Sequence, residues 1–109
     1  MRVYISGPIT GTSDYVERFC KAEMELIIMG FSVINPVAVN CNMPKDMKYE
    51  EIMNHDFFLI DMCDSIYMLD KWCQSREAVR EYNYSVAKDK NILFENSVRE
   101  VNNSGLSNN

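Results

Sequence analysis

Residues 2–30 read RVYISGPITGTSDYVERFCKAEMELIIMG, and this stretch decides the fold. Arg2 to Ser6 is β-branched and aromatic, the composition of a strand. Gly7-Pro8-Ile9-Thr10-Gly11 then interrupts regular structure. Thr12, Ser13 or Asp14 can cap a helix. Tyr15, Phe19, Ala22, Leu26 and Met29 follow at spacings of four, three, four and three, which draw one apolar stripe along a helix. Gly30 ends it in the manner of a C-terminal glycine. A strand, a loop and an amphipathic helix in this order form half of a parallel crossover unit.

Working outward, Phe31 to Ile34 reads as a second strand, stopped by Asn35-Pro36. Val37 to Lys48 suits a loop with a short helical turn. Asp46 is the expected cap of a helix over Met47 to Met62, with Ile52, Met53, Phe57 and Ile60 inward. Ser65 to Leu69 is the third strand. Ser75 caps a helix running to about Lys88, with Ala78, Tyr82 and Val86 on one face, and Asn91 to Phe94 is a fourth strand. The alternation predicts a three-layer α/β domain, Rossmann-like or flavodoxin-like. Its sheet is mostly parallel, four- or five-stranded, in the order 2-1-3-4. The expected domain covers residues 1–95, followed by a polar tail over 96–109. In such sheets a ligand sits beyond the carboxyl ends of the strands. That rule selects the loop after the first strand, the Asn35-Pro36 region and Asp70 to Glu81.

The chain has 109 residues, 47% hydrophobic and 25% charged, which suits one globular domain and excludes a two-domain enzyme. Sixteen acidic residues against eleven basic ones give a net charge of -5, which repels a nucleic-acid polymer. Apolar runs such as Phe57 to Ile60 are far too short for a membrane span. Cys20, Cys41, Cys63 and Cys73 show no CxxC pair, and His55 is the only histidine. Reduced thiols in a cytoplasmic protein without a zinc site are expected. A small sheet leaves several Met and Phe residues without an inward role. The expected assembly is therefore a homo-oligomer, in contact through Phe57 to Ile60 or Tyr82 to Val86.

Three constellations carry possible chemistry. Tyr4 to Gly11 is neither a dinucleotide fingerprint nor a P-loop, so its glycines make either an anion-holding nest or a tight structural turn. In Trp72 to Glu81, Glu77 and Glu81 share one helical face beside Arg76 and Arg80, the pattern of a solvated, salt-bridged helix or of a ligand edge. Trp72 can stack on a planar base or plug the loop. Asp56 stands immediately before an apolar run, and a carboxylate there needs a partner or binds its proton more tightly. Two carboxylates beside a sugar can support glycosyl transfer or hydrolysis. Spacing alone cannot bring Asp56 and Glu81 together.

At these residues the chain resembles the nucleoside 2-deoxyribosyltransferase-like family, in its short bacterial and phage branch of unknown function. The resemblance runs through Val3 to Ile9, Gly30-Phe31 and Val33 to Pro36. It continues in Asp56, Asp64 to Leu69, Trp72, Ser75, Ala78, Glu81 and Ala87, and leaves out only the polar tail. It implies cleavage or exchange of the N-glycosidic bond of a nucleoside or its 5'-monophosphate. Glu81 would be the nucleophile, supported by Asp56 and Tyr4. Ser6, Gly7, Pro8, Ile9 and Gly11 would seat the substrate, with Trp72 at the pocket border and Ser75 towards the phosphate. No metal or cofactor is implied, because protonating the leaving base suffices. The chain departs from its close relatives at Glu77, where they carry glycine. The rival expectation is a non-catalytic nucleotide-binding or interaction protein.

Overall fold

The computed structural model describes residues 1–95; the polar tail expected over 96–109 lies outside the described residues. Four strands alternate with helices: β1 (Arg2–Ser6), α1 (Tyr15–Ile28), β2 (Ser32–Ile34), α2 (Pro36–Asn40), α3 (Tyr49–Asp61), β3 (Ser65–Met68), α4 (Arg76–Ala87) and β4 (Asn91–Phe94). All strand pairs are parallel, in the order β2-β1-β3-β4. The expected order and the four-stranded version of the sheet are both present.

The two-residue period of the strands divides the core. Val3, Ile5, Tyr67 and Leu69 face α1, where Phe19, Ala22 and Leu26 meet them. Tyr4, Ile66 and Met68 face the opposite layer, against Leu59 and Ile60 of α3 and Ala78 of α4. Tyr4 and Ser6 therefore emerge on one side of the sheet, towards α4. Among the described residues, no helix is long and apolar enough to cross a membrane. The four cysteines are free thiols, with only Cys63 buried.

Three helix faces differ from the sequence expectation. In α1 the buried stripe ends at Leu26. Met29 caps the C-terminus and is 47% exposed, because the helix stops one residue earlier. The N-cap of α3 is Lys48 rather than Asp46, its backbone N–H donating to Glu51 Oε1 at 2.7 Å. That start turns Met53, Asp56, Leu59 and Ile60 inward and leaves Ile52 exposed, while Phe57 stacks on Tyr84. In α4 the buried line is Ala78, Glu81 and Ser85 rather than Ala78, Tyr82 and Val86. Steps of four and four drift by about 80° over eight residues, whereas three and four keep to one face. Glu81 thus takes a position that an apolar residue would ordinarily hold. Of the stretches expected at a subunit contact, Leu59 and Ile60 are buried within the domain, while Phe58 and Val86 face outward.

Gly7 follows β1 where the chain passes against Leu69. A Cβ at Gly7 would stand 2.7 Å from Leu69 Cβ and 2.8 Å from its Cδ1. Gly7→Ala is expected to cost about 2 kcal/mol, within the usual range for overpacking. Urea unfolding measures it, and an unchanged midpoint would mean that the loop yields without strain.

Candidate active site

The carboxyl ends of β1 and β3 border the point where the chain leaves the sheet centre in opposite directions, so the crevice of an open parallel sheet lies there. Glu81 reaches this edge from α4 and is 5% exposed. Ser6 Oγ donates to its Oε1 at 2.6 Å, and Tyr4 OH donates to its Oε2 at 3.2 Å. Both hydroxyls come from β1, two residues apart on one face. Asp56, from α3, shares a hydrogen bond with the same carboxyl. Asn40, the last residue of α2, donates from Nδ2 to Asp56 Oδ1 at 3.0 Å. Four separate elements therefore converge on one pair of acids.

The electrostatics follow from burial. Desolvation and then the charge of Asp56 push the Glu81 carboxyl well above the usual carboxylate range, against the opposing pull of the Ser6 and Tyr4 bonds. Burial also raises Asp56, while its hydrogen bonds to Glu81 and Asn40 act to lower it. The two acids titrate as one coupled unit, and because burial pushes both upward the pair holds a proton more tightly than free carboxyls do. Burial, followed by the Glu81 charge, keeps the Tyr4 phenol neutral and able to donate.

A cavity of about 790 Å³ opens beside the pair, within the range that encloses a small-molecule ligand. Tyr4, Asp56 and Glu81 line it, as do Gly7 and Ile9 of the loop after β1. Its walls also carry Tyr15, Phe19, Met43 and Met53, flat and flexible apolar groups suited to a planar ring. Among the described residues, no group of three or more His, Cys, Asp or Glu is placed to hold a metal ion.

Several expected binding residues stand elsewhere. Trp72 does not line this cavity; it lies in a single 3-10 turn and stacks on Tyr82 at 4.6 Å, with Phe94 behind it. The indole plugs the loop, the alternative reading of its sequence. Ser75 is occupied as the cap of α4, its Oγ accepting the Ala78 N–H at 3.2 Å, and is also outside the lining. Ser6 is buried and spends its hydroxyl on Glu81, so it positions that carboxyl instead of touching a ligand. Pro8 and Gly11 are not in the cavity wall; Gly11 serves the turn, with φ +83°.

Asn40 is the residue that sequence reasoning missed. The Asn35-Pro36 pair contained the signal, since Asn35 Oδ1 accepts the Val37 N–H and starts a helix that carries Asn40 one turn onward. Asn40 Oδ1 is buried and makes no hydrogen bond among the described residues. Its amide therefore holds Asp56 with one end and presents an open acceptor with the other.

Residues 1–94 match the family model described as Domain of unknown function (DUF4406). The search of curated proteins returned no match for the chain.

Proposed function

The chain belongs to the DUF4406 family, and from the chemistry of its cavity we propose that it cleaves or exchanges the N-glycosidic bond of a nucleoside or its 5'-monophosphate. One observation carries this reading. A buried glutamate on the cavity wall is held by two hydroxyls and coupled to a second acid. A carboxylate fixed in this way can approach an anomeric carbon in one orientation, and little of its binding energy is lost to rotamer freedom. The resemblance to the nucleoside 2-deoxyribosyltransferase-like family supports the same assignment.

The chemistry balances around the shared proton. Glu81 passes its proton through Asp56 to the nitrogen of the leaving base. As the C–N bond opens, the sugar ring gains positive charge, which favours the ionised Glu81 beside it. A Glu81 oxygen then bonds to the anomeric carbon, giving a glycosyl ester and a free neutral base. Water, or the nitrogen of a second base, attacks that carbon in the second half. Glu81 leaves, and the incoming group's proton returns to Asp56. Tyr4 and Ser6 hold the carboxylate throughout. A reaction that protonates its leaving group and stabilises the sugar with a carboxylate can proceed through these residues alone.

The test is to incubate the protein with each common deoxynucleoside and its monophosphate, alone and with a second free base. Released base with free sugar marks hydrolysis, and a new nucleoside marks exchange. Intact mass after rapid quenching should show one sugar unit on the chain. Binding without base release from any of them would favour the non-catalytic reading and overturn this one.

Asn40 gives a finer prediction. Its donated hydrogen bond favours the ionised form of Asp56. Asn40→Ala should shift the acidic limb of the pH–rate profile upward and lower the rate at neutral pH about tenfold. An unshifted limb would detach Asn40 from the acid pair.

A further inference from the structure

Among the described residues, three carboxylates line the cavity: Asp56, Glu77 and Glu81. Asp56 and Glu81 have roles in the proposed bond cleavage, but Glu77 has none. It stands in the first turn of α4, four residues before Glu81. The two side chains thus leave one helix face with Cβ atoms about 6 Å apart. The first turn of a helix is ordinarily where an anion is received, because its backbone N–H groups point outward and its dipole end is positive. At α4 one of those N–H groups is taken and the positive end is opposed by a side chain of the helix itself. Ser75 Oγ accepts the Ala78 N–H, and Glu77 places its own negative charge at that end.

The nearby cations do not reverse this balance. Among the described residues, no arginine is in the cavity wall. Arg80 is paired with Glu50 at 2.9 Å and lies, with Arg76, over the Tyr49 ring. Arg18 donates to the Asp70 carbonyl at 2.9 Å. Among the described lining residues, positive charge can come only from Lys45, exposed on the loop before α3, and from His55. A phosphate monoester brings about -1.5 to -2 charges at neutral pH. It would meet Glu77 and the charge of the acid pair together. A hydroxyl has the opposite fit: a carboxylate only accepts hydrogen bonds, so Glu77 can receive a sugar O–H but not a phosphate oxygen.

We propose that Glu77 is a specificity-determining residue, which accepts a hydroxyl of an uncharged nucleoside and bars its 5'-monophosphate. The inference rests on reading the cavity as a nucleoside site, but binding alone reports it, with or without turnover. The experiment titrates Glu81→Gln, in which turnover is blocked, with deoxyadenosine and thymidine and with the 5'-monophosphate of each. Calorimetry is run at low and high salt. Each nucleoside should bind about tenfold or more tighter than its monophosphate, and the gap should narrow at high salt as charges are screened. Adding Glu77→Gln should close the gap, and adding Glu77→Lys should invert it. Monophosphate binding equal to that of the nucleoside overturns the proposal, as does a gap that ignores both Glu77 changes. Tight monophosphate binding that disappears in Lys45→Gln overturns it as well, by assigning the phosphate to Lys45. If wild type binds nucleosides selectively but releases no base, the catalytic reading falls and the selectivity stands. If neither ligand class binds, both fall.

Discussion

Glu81→Gln is expected to lower single-turnover base release by a factor on the order of 10⁴ or more, while leaving the protein folded and at least as stable as wild type. The two halves of this result come from the same geometry. Gln keeps the size of Glu and an oxygen that accepts from Ser6 where Oε1 does now; its Nε2 replaces Oε2, and the Tyr4 hydroxyl, which now donates there, can turn to accept an amide N–H. Its amide N–H can donate to Asp56, reproducing the bond that the shared proton makes. What it lacks is nucleophilic character, since an amide oxygen is a poor nucleophile and cannot release a proton to the leaving base. A loss caused by misfolding would appear in the unfolding curve and in the spectrum of Tyr4. A loss caused by chemistry would not. Equal rates for the two proteins would remove Glu81 from the nucleophile role. A variant that loses activity and stability in parallel would mark the cluster as structural. Glu81→Ala separates the cases further. It leaves the Tyr4 and Ser6 hydroxyls and Asp56 without their shared partner inside a buried space, so it should lose stability where Gln does not.

How legible this arrangement was depends on the kind of signal. The strand positions followed from local composition: Arg2–Ser6 and Asn91–Phe94 are bounded as the β-rich runs suggested. The order 2-1-3-4 followed from strands alternating with helices. Helix faces were harder, because an apolar stripe is a reliable guide only when apolar residues occupy the inward positions. On α1 they do so through Leu26. On α4 they do so only in part: Ala78 is buried and Tyr82 packs against the core, but Glu81 and Ser85 also turn inward and Val86 is exposed. The misreading and the site have one cause, since a helix that turns a carboxylate inward is using its core face for something other than packing. Asp56 on α3 repeats the pattern, buried beside Met53 and Ile60 while Ile52, expected to face the core, is exposed and Phe57 packs against the core's edge. Asn40 could not be read at all, because its importance depends on a contact with a residue sixteen positions away. Trp72 and Ser75 show the converse. Each is a residue type that binds ligands well, yet one packs on Tyr82 and the other caps a helix.

The burial that makes Glu81 a controlled nucleophile should also be visible in stability against pH. In the unfolded chain Glu81 titrates near 4.5, whereas in the folded protein burial and Asp56 raise it well above that value. Between these limits the native state holds a proton that the unfolded chain has released, so ΔG of unfolding must fall as pH rises. The contribution is fully present below the unfolded value and is lost as pH climbs towards the folded one. Asp56, also raised, has the same sign. Glu81→Gln removes the main titrating group and should flatten the curve. Wild type should therefore lose stability relative to this variant as pH rises from about 5, by up to about 1.4 kcal/mol per pH unit for one proton. Chemical denaturation across this range measures the difference directly. The two curves should approach each other towards acid pH and separate towards neutral pH, with wild type the less stable. Parallel curves would mean that Glu81 takes up no extra proton on folding. The relay from Glu81 through Asp56 would then lack its starting proton, and the base would have to be protonated from elsewhere. A wild type that instead gained on the variant towards neutral pH would show that the Ser6 and Tyr4 hydrogen bonds outweigh burial, making Glu81 an ionised resting nucleophile.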